Sequence, residues 1–211
     1  MVERLENNQL RLFRLVVKSF FQSPNYTHPG KDGGCTREFP DSAQSNRCQI
    51  LAANGVLDLS IPVVGTKGQV TPINEIRISY DDNWPVKHWR SIRSAYRSAP
   101  FFEEYAADIE ALIMSKAEKL IDLNASILEK LIELLQIDKE INYHSASGTP
   151  EDLLKLNGHF KPSKMPEEHK QMPSYLQVFN YKYDFIPNLS ILDLLFNEGP
   201  YAQQYLLSIA S

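Results

Sequence analysis

A chain of 211 residues is long enough to bury a substantial core as one domain. Hydrophobic residues at 43% and charged residues at 23% are the proportions of a globular protein and exclude a disordered chain. A formal net charge of -4 argues against a nucleic-acid binder and leaves room only for a local basic patch.

The two cysteines, Cys35 and Cys48, form no CxxC pair and have no metal-ligand spacing with histidine. Neither a disulfide framework nor a metal site is expected. No apolar run approaches the ~18 residues of a membrane span. The opening MVERLENNQLRLFRLVVKSFF is charged throughout and lacks the clean apolar region and cleavage site of a signal peptide. The expectation is a cytoplasmic protein with reduced thiols.

Leu10, Phe13, Val17 and Phe20 recur at helical spacing, so Leu5 to Phe21 is expected to be a helix docking on the core. Pro24, Pro29, Gly30, Gly33, Gly34 and Pro40 make Ser23 to Ser45 a long loop. Cys48 to Ala53 and Val56 to Val63 are two strands joined at Asn54-Gly55, a dipeptide suited to a type I′ turn. Leu57, Leu59, Ile61 and Val63 alternate with smaller or polar residues, which gives that strand one buried face. After a Gly65-Thr66-Lys67-Gly68 turn, Ile73 to Tyr80 is expected as a third strand, completing an antiparallel meander.

Helices follow. From Val86 to Ser98, Trp89, Ile92 and Tyr96 share one face, and Lys87, Arg90, Ser94 and Arg97 share another. His88 and Arg93 flank the apolar stripe on opposite sides. Pro100 suits a first helical turn, and Glu103 and Glu104 suit the positive end of the helix dipole. Asn124 can cap the next helix, whose apolar face is Ile127, Leu128, Leu131, Leu134 and Leu135. Ile141 to His144 reads as a short strand, Glu151 to Leu156 as a short helix, and Phe160 to Pro173 as loop. Tyr175 to Phe179 is strand-like, Leu189 to Asn197 is an apolar helix containing Asp193, and Tyr201 to Ile209 is a terminal helix. The fold class that results is α+β: a small antiparallel sheet, a hairpin or meander, packed with a helical half.

Four strings in this order resemble the WbqC-like family of bacterial proteins. They are SNRCQILAANGVLDLSIPV (Ser45 to Val63), NEIRISYDDNWPVKHWRSIRSAYRSAPFFEEY (Asn74 to Tyr105), DLN (Asp122 to Asn124) and YLQVFNYKYDFIPNLSILDLLFNEGP (Tyr175 to Pro200). The likeness implies a single domain over residues 1–211, with a divergent helix and loop at 1–37 and a family-like region at 38–206. It also implies a role in surface-polysaccharide biosynthesis, since some relatives lie in gene clusters for O-antigen and similar glycans. The family supplies no catalytic residues to carry over. Two departures stand out: the Tyr-x-Pro-Pro-type loop is absent before Glu38, and relatives tend to carry Arg-Asn-Arg where this chain has Ser45-Asn46-Arg47.

The residues themselves suggest a site for an anionic small molecule such as a nucleotide-activated sugar. Arg47, Arg90 and Arg93, with Lys67 and Lys87, would bind its charge, since arginine offers paired donors to phosphate or carboxylate. Asn46 would add a donor, and Trp84 or Tyr96 would stack on a ring. His88 would act as general base or acid. Asp193, a carboxylate among leucines, would serve in catalysis or pair with a basic residue of the central helix, because an unpaired buried charge is costly. The plainer alternatives are a histidine satisfied by the core, an arginine capping a strand and a lysine on an exposed turn. No GxSxG, HExxH, GxGxxG or Walker A motif is present, and no cofactor is expected. A transferase using an activated sugar or acyl donor is the leading expectation, with Arg47, His88 and Arg90 converging on one cleft. A non-catalytic binding or assembly protein of the same pathway is the alternative.

Overall fold

The structure is a computed structural model that describes residues 46–64, 75–137 and 172–210. The expected helix at Leu5 to Phe21, the loop after it, the turn carrying Lys67 and the elements expected between Ile141 and Gln171 lie outside the described residues.

Strands β1 (Arg47–Ala52) and β2 (Gly55–Ser60) form an antiparallel hairpin with Arg47 opposite Ser60 and Ala52 opposite Gly55. That register centres the turn on Ala53 and Asn54, one residue earlier than the Asn-Gly dipeptide suggests. Asn54 keeps a negative φ and Gly55 alone in the turn is positive, at φ 107. A type I′ turn needs positive φ at both central residues, so Ala53-Asn54 does not form one, and the glycine takes its positive φ as the first residue of β2, paired with Ala52.

The expected third strand is reduced to an extended segment at Ile76–Ser79, held on both sides. Val64 N donates to Arg77 O (2.9 Å) and Ser79 N to Pro62 O (2.9 Å) on one side. On the other, Ile78 N donates to Glu118 O (2.9 Å) and Leu120 N to Ile76 O (3.0 Å). Only isolated bridges result, Val63 with Ile78 and Arg77 with Lys119, so the sheet has two strands and not the three of a meander. Alternation still works locally: Ile76 and Ile78 are buried while Arg77 is exposed.

Helix α1 (Trp84–Tyr96) carries Pro85 in its first turn, where its missing N–H leaves no helical bond unmade, and the Asp82 carboxylate accepts from Trp84 N at 3.0 Å. Helix α2 (Phe102–Ile113) has Glu103 and Glu104 in its first turn, as expected, while Pro100 lies just outside it. Helix α3 (Leu120–Leu134) begins four residues before Asn124, so Asn124 sits inside the helix and Lys119 occupies the cap position. Tyr175 to Phe179 is irregular chain leading into turns, not a strand. Helix α4 (Ile191–Glu198) is capped by Ser190, whose hydroxyl accepts from Leu192 N at 3.4 Å. A single 3-10 turn at Gly199–Tyr201 then leads into α5 (Ala202–Ala210).

One apolar cluster joins the hairpin to all five helices, with α4 at its centre: every residue from Ile191 to Asn197 is buried. This explains the near-continuous apolar character of that helix, which touches α2, α5 and β1 and has no solvent face. A smaller cluster of Leu51, Phe179 and Leu189 covers the other face of the hairpin near its turn.

Candidate functional site

Helix α1 positions the site because it reaches both edges of the hairpin. Gln49 and Leu51 point their backbone groups out of the free edge of β1. Gln49 O accepts from Ser190 N (2.7 Å), and Leu51 N donates to Tyr96 Oη (3.2 Å). Antiparallel alternation then turns the backbone of Ser60, which opposes Arg47, out of the far edge of β2. There the His88 imidazole lies beside the Ser60 backbone. The helix therefore crosses the hairpin from β2 at His88 to β1 at Tyr96.

His88 is half-buried. Burial lowers its pKa below the ordinary 6.5, and the Ser60 backbone and the Asp82 charge only partly offset that. The ring is therefore mostly neutral near pH 7. Trp84 stands against it in an edge arrangement, with centroids 5.0 Å apart, and stacks on Tyr80 at 5.8 Å. Arg47 is exposed on the β1 residue paired with Ser60, across the strand from the edge that His88 faces.

A second polar group lies in the core. The Asp193 carboxylate is 0% exposed. It accepts from Tyr96 Oη (2.9 Å), Tyr175 Oη (2.6 Å) and Gln177 Nε2 (2.9 Å). Gln177 is itself fixed by Ile186, whose carbonyl accepts from Nε2 and whose N–H donates to Oε1, both at 2.9 Å. Burial raises the Asp193 pKa, and the bonds from Tyr175, Gln177 and Tyr96 pull the other way without cancelling it. The carboxylate raises the Tyr96 and Tyr175 hydroxyls in turn, although burial is the larger cause for both. The basic partner expected from the central helix is thus replaced by two tyrosines and a glutamine. The reason is geometric: Tyr96 is the inward residue of α1, whereas its arginines face out. Sequence reasoning missed Tyr175 and Gln177. Their spacing of two suggests a strand, and nothing local shows that both turn toward α4.

The structure divides the expected site residues. Asn46 is buried and latches the hairpin, with Nδ2 donating to Ile61 O and its own carbonyl accepting from Ile61 N, both at 2.8 Å. Trp84 is only 2% exposed and Tyr96 is 0% exposed, so neither presents a ring face for a ligand to stack on. Lys87, Arg90 and Arg93 are exposed. Arg90 follows His88 by two residues, a rotation of about 200° around the helix. The two side chains therefore leave nearly opposite sides of α1. His88 lies by the Ser60 backbone and Arg47 is the residue paired with Ser60, while Arg90 is turned away from His88. Lys67 lies outside the described residues. No group of three or more His, Cys, Asp or Glu suited to a metal occurs among the described residues. No helix among them is long and apolar enough to cross a membrane.

These features define an α+β protein in which one helix strides a small hairpin and ties its edges to a buried carboxylate on a C-terminal helix. A model of the WbqC-like protein family matches residues 36–165, well over half of the chain. The chain belongs to that family. No curated protein and no solved structure matches it. The string from Tyr175 to Pro200 lies beyond the matched residues yet packs into them. Asp193 meets Tyr96, Phe196 lies 5.1 Å from the Phe102 ring, and Gly199 sits against Phe101.

Proposed function

We propose that the protein serves in bacterial surface-polysaccharide biosynthesis as a transferase acting on an activated sugar or acyl donor. The single observation behind this reading is the half-buried His88 beside the Ser60 backbone, with the exposed Arg47 on the residue that pairs with Ser60. Arg47 supplies an exposed guanidinium with no ion pair among the described residues, suited to the anionic part of a donor. His88 supplies a ring that burial keeps mostly neutral, suited to taking the proton from an acceptor hydroxyl or amine as the donor's leaving group departs with its electron pair. Trp84 and Asn46 hold these groups in place from the core and do not touch the ligand. The pathway rests on the likeness to relatives in surface-glycan gene clusters, which family membership makes relevant to this chain.

The test is a thermal-shift screen with nucleotide-sugars and acyl thioesters, followed by turnover measurements on the hits. A true donor raises the melting temperature. Arg47→Ala abolishes that shift, whereas His88→Gln keeps it and loses turnover. No shift with any donor would refute the transferase reading. A non-catalytic binding or assembly role in the same pathway is the second reading. It is favoured by the large apolar side chains left exposed at Leu176, Tyr181 and Tyr201.

A further inference from the structure

The outward face of α1 carries a row of cations that the candidate site does not use. Lys87, Arg90 and Arg93 lie on this helix, and Arg97 is its C-cap residue. At about 100° per residue they fall within an arc of about 120°, and at about 1.5 Å per residue they run for about 15 Å. All four are exposed. The helix sequence WPVKHWRSIRSAY contains no acidic residue. Lys87 reaches Asp82 at 3.5 Å, but Arg90, Arg93 and Arg97 have no ion pair among the described residues. This concentration of positive charge occurs in a chain whose net charge is -4.

The shape of the row decides what it fits. The arginines stand side by side along a convex helix, three and four residues apart, so a single small anion could bridge two neighbours at most and would leave the rest of the row unmatched. Ser94 and Ser98 lie among them and no aromatic ring does, so the row has no platform for stacking bases. An extended surface dense in phosphate can meet all of them at once. We propose that this face docks the protein on the surface of an anionic phospholipid bilayer. The contact is peripheral: the row has no apolar wedge, so attraction comes from charge and is screened by salt. His88, on the other side of α1, remains uncovered.

The test is co-sedimentation of the full chain with vesicles of phosphatidylcholine alone or of phosphatidylcholine mixed with phosphatidylglycerol. Binding is expected only to the mixed vesicles and weakens as salt rises. Each basic residue near such a surface is worth about fivefold in partitioning. The triple variant Arg90→Gln/Arg93→Gln/Arg97→Gln should therefore lose about 100-fold, while retaining the circular dichroism of the parent because all three side chains are exposed. Lys116→Gln/Lys119→Gln, which removes exposed charge elsewhere, should change binding by less than about threefold under the same reasoning. The proposal is overturned by equal binding to both vesicle types, by no binding, or by a triple variant that binds like the parent or loses no more than the control. It is equally overturned if the row governs binding to RNA or self-association while leaving vesicle binding unchanged.

Discussion

Replacing Tyr96 with Phe removes one oxygen atom and leaves the rest of the core in place. That oxygen accepts from Leu51 N at 3.2 Å and donates to Asp193 at 2.9 Å, joining β1, α1 and α4. The ring contact with Phe196, 5.3 Å between centroids, survives the change. Stranding the buried Leu51 N–H costs about 1–3 kcal/mol, and losing a hydrogen bond to a charged group costs about 1.5–3 kcal/mol. Tyr96→Phe should therefore destabilise the fold by about 3 kcal/mol, or about 6–12 °C in melting temperature for a chain of this length. Urea denaturation followed by tryptophan fluorescence measures the first figure. The loss should also depend on pH. The Asp193 pKa is raised above its ordinary 3.8 in the fold. Its protonation thus contributes stability that is fully present below 3.8 and is lost as pH rises through the raised value. The Tyr96 hydroxyl is worth most to the ionised carboxylate, so the difference between parent and variant should shrink as pH falls through that same window. A loss under about 0.5 kcal/mol, below the usual worth of even one hydrogen bond, would refute this account of the cluster.

Gly199 should tolerate no side chain. Its φ of 52 with ψ -120 is strained for any L residue, and a Cβ there would lie inside contact distance of the Phe101 ring. Gly199→Ala is expected to cost about 3 kcal/mol or more from backbone strain and overpacking together, measured by denaturation; a cost below about 1 kcal/mol would contradict the packing. His88 should titrate below 6.5 when followed by NMR. Because the unfolded chain then takes up the proton first, stability should fall as pH drops below 6.5 and level off beneath the folded pKa. His88→Gln should flatten that slope.

Much of the local structure was legible because its signals are local. Helical spacing gives Trp89, Ile92 and Tyr96 as the inward face of α1 and leaves Lys87, Arg90 and Arg97 outside. Alternation gives a hairpin between Cys48 and Ile61, and Gly199-Pro200 gives the end of α4. The errors share a cause. Ile73 to Tyr80 has the alternation of a strand, but its neighbours are short stretches near Pro62 and Glu118, distant in sequence, and these allow only isolated bridges. Asn124 has the chemistry of a cap, yet the apolar residues Leu120 and Leu123 were already committed to the core, which moves the helix start upstream. Asn46 and Trp84 have side chains suited to a ligand and are used instead as internal supports.

Residue type and near-neighbour spacing were enough for the fold class, for the family strings and for which side chains could carry charge or accept a proton. Which of those side chains meet depends on how the chain folds back over long separations, and no local pattern encodes that. Asp193 finds Tyr96 across 97 positions of chain, and Tyr175 and Gln177 complete its shell only after the chain reverses. His88 reaches the Ser60 backbone because α1 packs on the hairpin. Arg90, two residues along, is turned away from it by the rotation of the same helix.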